Sequence, residues 1–539
     1  MSTNISKQKR EELLAKIKEI RTFIASAEQD ENTGNLLSYL SELERDVGGK
    51  KYGLVFEEHR EEIDEILATH TPVLTEDGSL LIDNGGQMNF LLEGDNLASL
   101  QLLLKTYKGK FDIIYIDPPY NTGNKDFIYG DAYVVAEDTF KHSKWLSFME
   151  KRLRIARSLL KEDGIIFMSI DDNEQATLRI LADSIFGEQN FISELVWQKK
   201  KGGGNDSRHV ATEHEYIIMF AKNKQALENI FIEYGSDYIS RYKEEDEHGR
   251  YFWDTFKRKS GKQYYAITCP DGTILEKEEN GEPISWLRSE QRFLSDLALG
   301  EARIVKINGK WTVHFKQRQP AGYKPRSLVT EYGTTSDGAS DLKSLFNITN
   351  IFSNPKPTTL LEFLIKFKAN RDITVLDFFA GSGTTGHAVM KLNAEDGGTR
   401  RFILCTNNEN NICREVTYER IRRVIDKEGY AASLKYFKVE YVPIDSRMYY
   451  EYADELLRHI RELVELENGV NFTANAEIGI VLTEEELEEF VGSDAFALCR
   501  KLYIGHDVLP TDEQMAAIKA GGIEISVIPD YYYKDLQEG

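Results

Sequence analysis

The sequence predicts an α/β protein, a largely parallel sheet covered by helices on both faces, with one interruption of the alternation. Two observations carry this. Short apolar runs bounded by turn residues, such as FDIIYID (111–117) and GIIFMSIDD (164–172), alternate with stretches of helical period. That rhythm stops after HEYIIMFAK (214–222) and resumes over 358–430. Strands alternating with helices in this way suit a parallel sheet buried on both faces.

Taken in order, residues 5–45 read as an amphipathic helix, with Leu13, Leu14, Ile17, Ile20 and Ile24 at helical spacing. From Gln87, MNFLLEGD reads as strand, NLASLQLLLKTYKG as helix and FDIIYID as strand. SFMEKRLRIARSLLKEDG is expected to be a helix ending at Gly164, followed by the strand GIIFMSIDD and the helix ATLRILADSIFG. Residues 223–345 mix aromatic, charged and turn-forming residues without βα alternation. The second run comprises helix TTLLEFLIKFKA, strand TVLDFF, a glycine-rich turn, helix TTGHAVMKLN, strand RFILCTN and helix NICREVTYERIRRVIDK. The acidic helix TEEELEEFV belongs to a last small α/β module. The expected division is 1–75 (helical), 76–222, 223–345 (inserted), 346–430 and 431–539 (acidic module).

The 539 residues suffice for two to four domains. No apolar run approaches the roughly 18 residues that span a bilayer, and the first twenty residues lack the apolar core of a secretion signal, so a cytoplasmic protein without membrane association is expected. The four cysteines, at 269, 405, 413 and 499, form no C-x-x-C pair, which points to reduced thiols and no zinc site. A net charge of −22 sits poorly with nucleic-acid binding, but it is unevenly placed. Residues 451–539 hold 20 Asp/Glu against 6 Lys/Arg, whereas residues 191–330 hold 20 against 23.

Two motifs carry chemistry. In VLDFFAGSGTTG (375–386) a strand ends at Asp377 and small residues turn the chain into a helix, whose free N–H groups and glycines admit a ligand closely. The loop lacks the spacing of a dinucleotide fingerprint and the Gly-Lys-Ser/Thr of a P-loop. In FDIIYIDPPYNTG (111–123) a strand delivers Asp117, and Pro118 and Pro119 stiffen the turn without adding N–H donors. The carbonyls of Asp117 and Pro118 are then open to a ligand and Tyr120 offers a ring for stacking. Acceptors beside an aromatic plate suit the grip of a planar amine.

Asp-Pro-Pro-Tyr together with an F-x-G-x-G loop resembles the amino-methyltransferases that act on N6 of adenine or N4 of cytosine in DNA. The catalytic strand precedes the glycine loop by about 260 residues, as in the permuted beta group of that family. FSNPKPTTLLEFLIKF (352–367), GDN (94–96), NTGNKDFIYGDAY (121–133), SIDDNE (169–174) and TYERIRRVI (417–425) are most similar to modification subunits of type III restriction–modification systems. The resemblance implies a Rossmann-like, S-adenosylmethionine-dependent methyltransferase sheet, circularly permuted. Residues 76–222 become its catalytic half, 346–430 its cofactor half and 223–345 a target-recognition domain.

The resemblance further implies that a base is flipped from the duplex, stacked on Tyr120 and held through its amine by the Asp117 side chain and the Pro118 carbonyl, with Pro119 keeping the turn rigid. Asp377, Phe379, Ala380, Gly381 and Gly383 are expected around the methionine part of the cofactor. Lys356 and Thr358, at the start of a helix, are placed to hold its carboxylate. Asp95 and Asn96 are candidates for the adenine end, and Glu409 for the ribose, where relatives carry an acidic residue at the strand end occupied here by Thr406. Basic residues expected at DNA are Lys199, Lys200, Lys201 and Arg208 in the glycine-rich loop 199–209, and Lys257, Arg258 and Lys259 among the aromatics of 250–265. Duplex DNA, a second copy of the chain and a restriction (helicase–nuclease) subunit are the implied partners. N4-cytosine specificity, an RNA or protein-amide substrate, and a non-catalytic DNA-binding role stay open. C5-cytosine chemistry is disfavoured because it calls for Pro-Cys and this chain has Cys269-Pro270 in the reverse order.

Overall fold

Every residue of the strand Phe111–Ile116 is buried, as a strand covered on both faces requires. The computed structural model describes residues 5–26, 31–48, 56–123, 128–129, 132–133, 138–202, 207–259, 262–444, 456–473 and 475–529. In it the side chains of this strand alternate between two cores. Ile114 and Ile116 join Leu100, Trp145 and Leu181 from the helices Asn96–Thr106, Lys141–Leu159 and Gln175–Phe186. Ile113 and Tyr115 join Leu361, Val389 and Ile421 from Thr358–Ile365, Thr384–Asp396 and Glu419–Glu428. The period-2 alternation of a strand is what lets one apolar run serve both layers.

Ten strands form the sheet, in the order His70–Glu76, Ala432–Pro443, Gln87–Glu93, Arg401–Thr406, Thr374–Asp377, Phe111–Ile116, Leu160–Ile170, His214–Ala221, Phe191–Gln198 and Leu328–Val329. From Ala432–Pro443 to Leu160–Ile170 all neighbours run parallel. His70–Glu76 and His214–Ala221 are antiparallel to theirs. The two motif strands lie side by side, with Val375 opposite Ile113 and Leu376 opposite Ile114. From Phe111–Ile116 the chain crosses one face through Lys141–Leu159. From Thr374–Asp377 it crosses the other through Thr384–Asp396 and moves in the opposite direction along the sheet. This reversal of strand order opens a crevice beyond the carboxyl ends of both strands. The sheet is thus Rossmann-like, with the glycine-loop strand following the Asp-Pro-Pro-Tyr strand in the chain.

Several expectations need correction. The stretch 5–45 is two helices, Ile5–Ser26 and Glu31–Gly48, tied by Arg21, which donates to Ser41 Oγ at 2.7 Å and pairs with Glu44 at 3.1 Å. The helix expected to reach Gly164 ends at Leu159, and Leu160 already pairs with Phe111. Gly164 is instead a strand glycine at a register shift: a Cβ there would lie 2.9 Å from the carbonyl oxygens of Lys161 and Phe111. Residues 70–75, expected in the helical region, and 438–443, expected in the acidic module, pair with each other as sheet strands.

Between residues 244 and 318 an antiparallel sheet of Ala302–Ile307, Lys310–Arg318, Gly249–Thr255 and Glu244–Asp246 builds its own core from Phe256, Trp286, Phe293, Val313 and Phe315. The chain returns to the large sheet before residue 345: Leu328–Val329 pairs with Val196 and Trp197, and Leu342 and Phe346 are buried in the second core. Near the C-terminus, parallel strands Ile478–Val481, Lys501–Ile504 and Glu524–Val527 are joined by the helices Glu484–Val491 and Asp512–Ala520. The acidic first turn of Glu484–Val491 faces the positive end of its helix dipole. Among the described residues no helix is long and apolar enough to cross a membrane.

Candidate active site

The Asp-Pro-Pro-Tyr turn is held from behind. Trp145 is fully buried and donates from Nε1 to the carbonyl of Pro119 at 2.7 Å. Asn121 takes a left-handed conformation (φ 58°), is fully buried, and donates from Nδ2 to the Lys141 carbonyl at 3.1 Å and to Glu174 at 2.6 Å. Asparagine is among the few residues that enter this region at little cost. Pro118 is buried, while Asp117, Pro119 and Tyr120 are half-buried at the crevice.

Four side chains converge there. Lys356 Nζ donates to both oxygens of Asp117, at 2.9 and 2.8 Å, and to the Tyr120 hydroxyl at 2.8 Å, and lies 3.3 Å from Glu215 Oε2. The Tyr120 hydroxyl is 2.7 Å from Asp117 Oδ1 and 3.1 Å from Glu215 Oε2. Lys199 reaches the other Glu215 oxygen at 3.0 Å. Burial by itself would push the Lys356 ammonium down, but Asp117 and Glu215 more than offset it and hold its pKa above the ordinary lysine value. Burial would likewise raise Glu215, yet Lys356 and Lys199 hold it below the usual carboxylate range. Both groups are therefore charged. Burial, with the charges of Asp117 and Glu215, drives the Tyr120 phenol well above its ordinary value, so it stays protonated.

The glycine loop passes beside this turn. Gly381 (φ 47°) and Gly383 (φ 75°) take left-handed conformations, and a Cβ on Gly381 would meet the Phe352 ring at 3.0 Å. Thr417 donates to the Gly381 carbonyl at 2.6 Å. Arg420, fully buried, donates to the hydroxyls of Ser382 at 3.1 Å, Thr384 at 2.7 Å and Thr358 at 3.1 Å, so one guanidinium fixes the loop and the start of the Thr358–Ile365 helix.

In front of the loop lies a cleft of about 750 Å³. Asp95, Asn96, Phe148, Phe352, Phe379 and Glu409 line it, and it reaches Pro119 of the catalytic turn. Its described lining holds three carboxylates, Asp95, Glu409 and Glu415, and neither lysine nor arginine. An acidic cleft with aromatic walls suits a ligand with net positive charge. Asp95 caps the Asn96–Thr106 helix through the N–H groups of Leu97 and Ala98. Asn96 is fixed between Arg152 and the Phe378 carbonyl.

Of the residues expected at a cofactor, Asp95, Asn96, Phe379 and Glu409 line this cleft, while Ala380, Gly381 and Gly383 shape the loop behind it. Three are placed differently. Lys356 turns to Asp117 because its buried ammonium finds two carboxylates there, whereas the helix start beside it offers only N–H donors. Thr358 donates to Asp341 at 2.9 Å and accepts from Arg420. Asp377 points back into the protein, accepting from the Phe379 N–H at 3.0 Å and the Thr385 hydroxyl, and burial pushes its pKa up to about 7.

Among the residues expected at DNA, Lys200, Lys201, Arg208, Lys257 and Lys259 are exposed. Lys199 is spent on Glu215, Lys257 pairs with Glu278, and Arg258 donates to the Thr255 carbonyl at 2.7 Å. Residues 203–206 of the glycine-rich loop lie outside the described residues. Glu215, Arg152 and Arg420 were not singled out from the sequence. Glu215 stands near the start of the strand run HEYIIMFAK, where a carboxylate just ahead of a continuous apolar run is the available signal.

The chain is similar in sequence to known proteins. Over 394 residues the chain is 37% identical to the StyLTI Mod subunit of a type III restriction-modification enzyme from Salmonella typhimurium, covering 64% of this chain and 58% of that protein. The chain therefore spans under two thirds of the length of that relative. It is 33% identical to the type II methyltransferase M.KpnI of Klebsiella pneumoniae, over 58% of this chain and 79% of the other. The solved PvuII DNA methyltransferase (cytosine-N4-specific) aligns with 65% of this chain and 95% of its own at 13% identity and a TM-score of 0.34. The DNA methylase family model matches residues 111–419, from the first residue of the Asp-Pro-Pro-Tyr strand to just past the glycine loop's Thr417 clasp, and the chain belongs to that N6/N4 DNA methylase family.

Proposed function

We propose that the chain is a site-specific DNA methyltransferase that uses S-adenosylmethionine to methylate N6 of a flipped-out adenine. The observation that carries this is the adjacency of the two motifs: Asp117 and the glycine loop leave neighbouring parallel strands, and one cleft is lined by Pro119 of the first turn and Phe379 of the second. The residues fit the cofactor, because a cleft with acidic and aromatic walls suits a molecule bearing a sulfonium and an ammonium. Asp95, Asn96 and Glu409 would hold its adenosine end, with Phe379 and the glycine loop toward its methionine end. The cofactor supplies an electrophilic methyl group when bound.

The chain's own residues do the rest by placement. Asp117 and the Pro118 carbonyl accept hydrogen bonds from the target amine, aiming its lone pair into the cleft, and the Tyr120 ring packs on the base. Positioning of this kind lowers the barrier without a covalent enzyme intermediate. The exposed cations Lys200, Lys201, Arg208 and Lys259 meet the phosphates of duplex DNA, and residues 244–318 read the target sequence.

The similarity to a Mod subunit supports a place as the modification partner of a type III restriction subunit. A dimer in the cytoplasm completes the reading. The test is transfer of labelled methyl groups to duplex DNA, with mass analysis of the digested product. N6-methyladenine is expected, and N4-methylcytosine would reassign the target base. Loss of transfer in both Asp117→Ala and Tyr120→Ala, with the fold retained, supports the site, and activity retained in both rejects it.

A further inference from the structure

Glu215 has no part in the grip described above, yet it is buried, charged and within reach of both donors that serve Asp117. An ammonium has three hydrogens. Lys356 has four acceptors within 3.3 Å: both Asp117 oxygens, the Tyr120 hydroxyl and Glu215 Oε2. Tyr120 has one hydroxyl hydrogen and two carboxylates within 3.1 Å. Asp117 meanwhile accepts three hydrogen bonds from these two donors, which occupies most of the four or so lone-pair sites of a carboxylate. A target amine that donates to Asp117 competes with Lys356 and Tyr120 for its oxygens. A displaced donor is buried and needs another acceptor at once, since an unpaired buried charge or hydroxyl is costly.

We propose that Glu215 is a positioning residue, which takes over the Lys356 ammonium and the Tyr120 hydroxyl as the incoming amine claims Asp117. The donors exchange between two carboxylates without leaving the cluster, and Asp117 is kept aligned until the base arrives. Lys199 holds the second Glu215 oxygen throughout, fixing the direction of the carboxylate. This inference rests on the methyltransferase reading.

The test compares wild type, Glu215→Gln and Glu215→Asp in steady-state methylation of unmethylated bacterial genomic DNA, with S-adenosylmethionine as donor. Glutamine keeps the size and removes the charge, so kcat is expected to fall ~10- to 100-fold with the KM values for DNA and cofactor within about threefold. Aspartate is expected to restore part of kcat. A Gln variant with wild-type kcat, or with a raised KM alone, overturns the proposal. Should the Gln variant lose its cooperative melting transition, the Asp variant decides: its shorter carboxylate should lower kcat several-fold at unchanged KM, and wild-type kcat overturns the proposal. Wild-type protein that methylates no DNA sinks the methyltransferase reading and this inference together. An active wild type with an unaffected Gln variant sinks this inference alone.

Discussion

Lys356 grips Asp117 by both carboxylate oxygens, at 2.9 and 2.8 Å, across 239 residues of chain. The catalytic turn and the helix before the glycine loop are thus one electrostatic unit, although the inserted segment lies between them in sequence.

Removing that cation takes the ammonium from Asp117 and from one oxygen of Glu215, whose other oxygen Lys199 keeps. Lys356→Met is expected to cost about 3–5 kcal/mol, the range for breaking a buried ion pair. The cost depends on pH. In wild type the depressed Glu215 pKa contributes stability that is present above the unfolded value and lost as pH falls. In the variant the Lys356 share of that contribution is gone and only the Lys199 share stays, so the gap in melting temperature should widen between pH 4 and pH 7. Thermal melts across that range check it, and a pH-independent gap contradicts it.

Asp377 works in the opposite sense. Its folded pKa, about 7, lies above the unfolded value, so the folded state holds the extra proton between roughly pH 4 and 7 and loses stability as pH rises through that window. Asp377→Asn keeps an acceptor for the Phe379 N–H and removes the ionisation. At pH 8 it should gain roughly 2–4 kcal/mol relative to wild type compared with the same difference at pH 4. Denaturant melts at the two pH values measure this.

Gly383→Ala places a Cβ at φ 75° and within 3.2 Å of Thr417. A strain of roughly 1–2 kcal/mol in the loop should weaken S-adenosylmethionine binding about tenfold by calorimetry. Gly397→Ala is the control: it has a similar φ of 67° with nothing within 4 Å, so it should lose stability without losing cofactor affinity.

Glu409 lines the cleft and is exposed to it. Glu409→Ala is expected to raise the cofactor Kd about tenfold, the loss of one or two charge-assisted hydrogen bonds. Unchanged affinity would remove Glu409 from the ribose.

DNA affinity should respond to which cations are already paired. Replacing Lys200, Lys201 and Arg208 together with alanine should flatten the slope of log K against log salt by about 2–3. Lys257→Ala, whose ammonium is held by Glu278, should change it by under 1. Binding titrations between 50 and 200 mM salt, roughly, resolve the two.

The sequence by itself determined the layers of the sheet and the two loops that carry the chemistry. Apolar runs such as FDIIYI must be buried on both faces, Asp-Pro-Pro-Tyr has a stiff turn written into its prolines, and the glycines at 381 and 383 mark positions where the backbone is left-handed. Those are local consequences of side-chain volume and backbone torsion, and they are legible without neighbours. Only the tertiary structure decided where the charges went. Lys356 read as a cofactor ligand at a helix start and became the partner of Asp117. Glu215 read as part of a strand and became the second acceptor of the cluster. Asp377 read as a ligand and faced inward to cap its own loop. A buried charge settles on whichever opposite charges the fold brings within about 4 Å, and strand order, which no local pattern encodes, sets that company.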